Sequence, residues 1–197
     1  SLPTTFQNLN VRLFTVYNNH LEGEIPDSWG ASMDWEFRIE NNDFTKIPKF
    51  TKAFNFFAGG LKVDNNFLDF GSLELNVGKT PSYTYTPQKN LTGGAVSATT
   101  GSTLVIPFVT GGTQNNYQWY KDGSPIVGAT NQQYAKANAQ LTDAGSYTVH
   151  VTNSLVTGLT LISDPFIVTI TACPSPPLTT SNSGCSGSAI NLSASGG

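Results

Sequence analysis

Between Val11 and Pro26 the chain reads VRLFTVYNNHLEGEIP, and its spacing of apolar residues around Asn19 returns twice downstream. Counted from Asn19, apolar residues stand eight, five and three places before it (Val11, Phe14, Val16) and two places after it (Leu21). The same frame set on Asn42 finds Phe37, Ile39 and Phe44, and set on Asn66 it finds Ala58, Leu61, Val63 and Leu68. The three asparagines are separated by 23 and 24 residues. Alternation at minus five and minus three predicts a very short strand with two side chains facing an interior. An amide side chain at the following turn can bond backbone groups that have no sheet partner, so Asn19, Asn42 and Asn66 are expected to stack inward as a ladder.

A period in the low twenties with an L-x-L…N-x-L core resembles the leucine-rich repeat. Gly23-Glu24-Ile25-Pro26 and Lys46-Ile47-Pro48 are similar to the longer repeat class, of roughly 24 residues, in which a proline-fixed turn leads to the convex side. Leu2-Pro3 matches the same position of a preceding repeat, so the chain is expected to start within an array, and a signal peptide cannot be sought in it. Beyond Phe70 the apolar residues Leu73, Leu75 and Val77 continue without a further asparagine frame. A repeat array needs a cap over its last open layer, and residues 71–87 are expected to supply it.

From Gln88 the apolar period becomes two, with turn signals at the spacing of a sandwich. Thr103–Phe108 and Tyr117–Tyr120 read as strands, the latter followed by the tight turn Lys121-Asp122-Gly123-Ser124, and Pro165–Ile170 closes the set. W-Y-K-D-G at 119–123 and L-x-D-A-G-x-Y-x-V at 141–149 resemble the immunoglobulin fold, with its core tryptophan (Trp119), its turn and its tyrosine corner (Tyr147). Ile106 and Val149 stand where that family's inter-sheet disulfide would sit, and two apolar side chains can fill the space. Residues 185–197 resemble the opening strand of another such module. The two cysteines, Cys173 and Cys185, are expected to pair with each other or with a residue beyond Gly197.

The expected fold is therefore mostly β: a short leucine-rich-repeat solenoid with its cap (1–87), an immunoglobulin-like β-sandwich (88–171), and a linker with the truncated start of a further β module (172–197). Taken together, these parts and the Y-T-Y-T-P-Q connector at 83–88 resemble large bacterial cell-surface proteins, which implies a secreted or cell-surface location.

Charged residues are only 12% of the chain and the net charge is −3, with ten Lys plus Arg that form no basic stripe. Nucleic acid is not an expected partner. No apolar run reaches membrane-spanning length, so no membrane insertion is expected within this segment.

The chemistry-bearing residues do not assemble into an enzyme motif. His20 and His150 fall in different expected domains, without H-E-x-x-H, and both are expected to be solvated. Gly184–Ser188 mimics a nucleophile elbow but lacks its second glycine and its strand-turn-helix setting. Asp64, Asn66 and Asp69 mimic a calcium loop, yet Asp69 replaces its glycine and Leu75 its bidentate glutamate. The expectation is a non-catalytic chain without cofactor or metal.

What remains is a surface. The frame aligns Arg12, Trp35 and Gly59; Leu13, Glu36 and Gly60; Thr15, Arg38 and Lys62; and Tyr17, Glu40 and Asp64, as rows about 5 Å apart on one face. Tyr17, Trp35, Arg38, Glu40, Lys62 and Asp64 are the candidate ligand-binding residues, for a protein or a glycan, because aromatics and arginine dominate interface energetics. Arg38 with Glu40, and Lys62 with Asp64, could equally form only a solvated face with weak lateral pairs. The expected function is recognition or adhesion, with the immunoglobulin-like parts as spacers; the alternative is a passive stalk or accessory region of a larger secreted enzyme.

Overall fold

In the computed structural model residues 10–54 and 60–173 are described. Leu2-Pro3, Ala58, Gly59, Gly184–Ser188, Cys185 and the expected module start at 185–197 lie outside them. The described chain is mostly β and divides into two compact units. The first runs to Thr92 and takes in Thr110–Tyr117 and Val149–Ser163; the second holds Gly93–Val109, Gln118–Thr148 and the chain from Asp164.

In the first unit, β1 (Leu13–Thr15), β3 (Glu36–Arg38), β5 (Gly60–Lys62) and β6 (Tyr83–Thr84) form a parallel sheet in that order. Phe14, Phe37, Leu61 and Tyr83 are successive partners, as are Thr15, Arg38, Lys62 and Thr84. A second parallel pair, β2 (Glu22–Glu24) with β4 (Asp43–Lys46), flanks it. The minus-five and minus-three residues Phe37, Ile39, Leu61 and Val63 are fully buried. Trp29, Phe44, Phe50, Leu68 and Phe70 are fully buried as well. Aromatic rings continue this core from one copy of the frame to the next, Phe14 to Phe37 at 5.8 Å and Phe37 to Phe50 at 5.1 Å between centroids.

The asparagine rungs explain how such short strands hold their loops. Asn42 Nδ2 donates to the carbonyls of Val16 (2.9 Å) and Ile39 (3.0 Å), and its Oδ1 accepts the Leu21 N–H at 3.0 Å. Asn66 repeats this one strand on, donating to Ile39 (2.9 Å) and Val63 (3.2 Å) and accepting Phe44 N–H at 3.0 Å. Both are fully buried. Asn19 departs from the expectation: it makes the local bonds, to Val16 O (3.1 Å) and Tyr17 O (2.9 Å), but its side chain is exposed. The residue before each rung, Asn18, Asn41 or Asn65, is left-handed, with φ of 55°, 58° and 54°. Asparagine tolerates that region better than other residues with a Cβ.

The frame also goes one step beyond the sequence reading. Gln88 stands 22 residues after Asn66 and takes over the rung, its Oε1 accepting N–H groups of Asn66 and Leu68 at 3.2 Å each and its Nε2 donating to Val63 (3.0 Å) and Tyr85 (2.8 Å). Within the expected cap, helix α1 (Phe70–Glu74) starts on Asp69, whose Oδ1 caps Ser72 N–H at 3.2 Å. Asp69 Oδ2 also accepts Gly111 N–H at 2.6 Å, and Glu74 accepts Thr113 N–H (2.8 Å), Thr113 Oγ1 (2.9 Å), Gln114 N–H (3.1 Å) and the Asn153 amide.

The second unit has the features of an immunoglobulin-like sandwich. One sheet has the order β10 (Ser124–Pro125), β9 (Asn115–Lys121), β12 (Gly145–Asn153), β14 (Phe166–Thr171) and β7 (Gly94–Thr99), with β9 and β12 running through both units. A second sheet pairs β8 (Leu104–Ile106) with β11 (Tyr134–Lys136). The last strand, β13 (Thr160–Ile162), belongs to the first unit and pairs with residues 150–152 of β12. Trp119 is fully buried among Phe108, Tyr134 and Phe166, with centroids 5.8–6.1 Å away, and its indole N–H reaches Asn131 O at 2.9 Å. Tyr147 donates its hydroxyl to Asp143 O at 2.8 Å, closing the tyrosine corner. Ile106 and Val149 are each fully buried. Cys173 is disulfide-bonded.

Candidate functional site

The parallel sheet determines what its outer face presents. Because β1, β3, β5 and β6 pair in register, side chains that alternate away from the Phe14–Phe37–Leu61 core line up in rows. Thr15, Arg38, Lys62 and Thr84 form one row. Two residues further on, Asn18 N–H to Glu40 O (3.0 Å) and Asn41 N–H to Asp64 O (3.1 Å) keep the register for the row Tyr17, Glu40, Asp64. Trp35 N–H bonds Arg12 O at 3.1 Å, which starts the row at the other end.

Arg38 is the centre of the arrangement. Its guanidinium lies over the Tyr17 ring, 4.4 Å from the centroid, a cation–π contact. Its Nε donates to Glu40 Oε1 at 2.9 Å and its Nη2 donates to the same oxygen. The bond to Glu40 holds the guanidinium above its usual pKa. Glu40 is only 8% exposed, and among the described residues its buried Oε2 has no hydrogen-bond partner. Asp64 is half-buried and accepts Asn65 Nδ2 at 3.1 Å. Burial pushes its carboxyl upward and the nearby charge of Glu40 adds to this, against its own backbone N–H, Asn65 and Lys62. Tyr17 and Trp35 are 41% and 43% exposed, enough for a ring face or edge to meet a ligand.

The structure thus brings Tyr17, Arg38, Glu40 and Asp64 into one cluster. Lys62 flanks Arg38 in the next strand, but among the described residues no ion pair joins it to Asp64. Trp35 lies beside Arg12, which pairs with Asp34 at 2.7 Å. Such a set offers aromatic surface, fixed donors and carboxylate acceptors, the chemistry of non-covalent recognition. Among the described residues there is no cluster of three His, Cys, Asp or Glu able to hold a metal ion, and no helix long and apolar enough to cross a membrane.

A second row escaped the sequence reading. His20, Asp43, Phe67 and Lys89 each follow a rung residue directly. Asp43 joins them, with His20 Nδ1 at 3.5 Å and Lys89 Nζ at 2.5 Å, and the Lys89 ammonium sits 5.1 Å from the Phe67 ring centroid. Lys89 is the first cause holding the Asp43 carboxyl below its usual range. An open groove of about 580 Å3 runs beside this row, lined by Glu22, Asp43, Thr45, Phe67 and Leu91. For His20, Asp43 and Phe67 the signal was available as the residue after each asparagine; Lys89 follows Gln88 and was not marked. His150, expected to be solvated, is half-buried, and burial lowers its pKa.

No protein-family model matches the chain. A decoration protein of Escherichia phage T5 is 43% identical over 76 residues, which is 38% of this chain and 46% of that protein. The chain therefore spans less than half the length of the curated relative it matches. Solved structures that resemble part of it are immunoglobulin-domain proteins. They include the N-terminal four immunoglobulin domains of Dscam1 isoform 6.9 (17% identity, 43% of this chain and 23% of that one, TM-score 0.36). Sidekick-1 immunoglobulin domains 1–4 give 18% identity, 43% and 24% coverage and a TM-score of 0.36. The human B7-H4 IgV-like domain gives 15% identity, 40% and 92% coverage and a TM-score of 0.29.

Proposed function

We propose that this chain is a non-catalytic recognition region of a secreted or surface-exposed bacterial protein, in which leucine-rich repeats bind a protein or glycan and the immunoglobulin-like parts act as spacers. In this reading the repeats and their cap occupy 1–87, the immunoglobulin-like domain 88–171, and the start of a further module 172–197. The observation that carries it is the Arg38 guanidinium fixed between the Tyr17 ring and Glu40 on an in-register outer face. Such preorganisation lowers the ordering cost of binding and places an arginine and a tyrosine where interfaces concentrate their energy. Tyr17, Trp35, Arg38, Glu40, Lys62 and Asp64 are the contact residues in this proposal.

A second reading is favoured by a different observation. The 43% identity over 76 residues to a decoration protein of a phage supports a structural or accessory role. The passive stalk or accessory region of a larger secreted enzyme is a separate alternative without a ligand on the repeat face. Arg38→Glu with Lys62→Glu and Tyr17→Ala separates them. On the first reading the triple variant, folded by circular dichroism, loses binding to cells, matrix proteins or glycans that the parent chain binds. Unchanged binding contradicts it, and binding of the parent chain to phage particles but to no cell or glycan supports the second.

A further inference from the structure

We propose that Asp64 is the protonation-dependent partner of Glu40, and that the state of this carboxyl pair governs how firmly Arg38 and Tyr17 are held on the ladder face. Only its biological use rests on the recognition reading above; its chemistry can be tested without any ligand.

Glu40 carries an unmet requirement. Glu40 is more than nine-tenths buried, and both N–H groups that reach it, Nε and Nη2 of Arg38, go to Oε1. Oε2 is buried with no donor among the described residues. A buried acceptor left unpaired is costly, so a neighbour able to acquire an O–H has a place to put it. The register names that neighbour. Asp64 follows Glu40 in the same row, one inter-strand spacing of about 5 Å away.

Arg38 in β3 holds Glu40, and Tyr17 and Glu36 act through Arg38; Asp64's own backbone N–H, then the neutral amide of Asn65 and Lys62, oppose a proton on Asp64. One guanidinium is already committed to Glu40, and Lys62 makes no ion pair with Asp64 among the described residues. Burial and the charge of Glu40 both favour a proton on Asp64.

When solvent supplies that proton, the Asp64 hydroxyl can turn to Glu40 Oε2, completing the carboxylate on both oxygens. When the proton returns to solvent, two carboxylates face each other in a partly dry site, and Arg38 alone anchors Glu40. The face is then firmest on the acidic side of the transition and loosens as pH rises through it.

Carboxyl 13C resonances of Glu40 and Asp64, with the Arg38 Nε resonance, followed from about pH 3 to about pH 8 on the full chain, test this. Asp64 is expected to titrate above the ordinary aspartate range, with the Glu40 and Arg38 signals moving at the same midpoint. Asp64→Asn should abolish that shared movement while leaving Arg38 over Tyr17, and Glu40→Gln should return Asp64 toward the ordinary range. An Asp64 midpoint within or below the ordinary range overturns the proposal, as does a Glu40 response that persists in Asp64→Asn. Ligand loss in the triple variant is a separate result, so either reading can fail without the other.

Discussion

The side-chain oxygen of Asn66 accepts the backbone N–H of Phe44 at 3.0 Å, the bond that Asn42 makes to Leu21 one strand earlier at the same distance. Each buried amide ties a loop of one frame copy to the carbonyls of the next. The outer rows inherit their alignment from these rungs.

Removing a buried rung should therefore be expensive. Asn66→Ala takes the acceptor from Phe44 N–H in the interior and removes one donor each from the Ile39 and Val63 carbonyls, which keep the amides of Asn42 and Gln88. We expect a loss of about 1–3 kcal/mol in urea unfolding, and the same for Asn42→Ala, which takes the acceptor from Leu21 N–H, because an unpaired buried group costs about 1–3 kcal/mol. Asn19→Ala, at an exposed rung, should cost less than about 1 kcal/mol.

The left-handed residue ahead of each rung makes a different demand. Asn41 has φ 58° and donates Nδ2 to Asn18 Oδ1 at 2.7 Å. Asn41→Gly should nearly preserve the melting temperature. Asn41→Val should lower stability by about 1–2 kcal/mol or more, since a β-branched side chain is strained there.

Glu74 provides the pH-dependent prediction. Burial pushes its carboxyl upward, but donors from Thr113, Asn153 and Gln114 outweigh burial and hold it below the usual glutamate range. A lowered folded-state value means stability that is present above the unfolded value and lost as pH falls through the folded one. Glu74→Ala should destabilise the chain by about 2 kcal/mol at neutral pH and by progressively less toward acid, in denaturant titrations at several pH values.

At the tyrosine corner, Tyr147→Phe removes the bond to Asp143 O and leaves the ring in place among Tyr134 and its neighbours. A loss of about 1 kcal/mol in thermal unfolding is expected.

Much of this was written in residue order. The period around Asn19, Asn42 and Asn66 specifies a register, since a shift by one residue would turn Phe37 and Leu61 outward. Trp119 and Tyr147 mark their surroundings because an indole N–H and a buried phenol each need a particular acceptor. Gln88 was not legible: its side chain is one methylene longer than asparagine and its spacing of 22 residues is shorter than the other two, 23 and 24. The Glu74 bonds to Thr113 and Asn153 join positions 39 and 79 residues apart and depend on loop shape, which no local pattern encodes. In the candidate site, alternation indicated that Arg38 and Glu40 share a face. It could not indicate that Glu40 is buried beneath Arg38, or that Lys62 forms no ion pair with Asp64 among the described residues.

The most direct test of the recognition face is site-specific photo-crosslinking. A photoreactive phenylalanine is placed at Trp35 on the ladder, and separately at Val127, which is 99% exposed in the second unit. The account predicts that position 35 captures surface protein or glycan from cells and position 127 does not. Capture at position 127 with none at position 35 would contradict it.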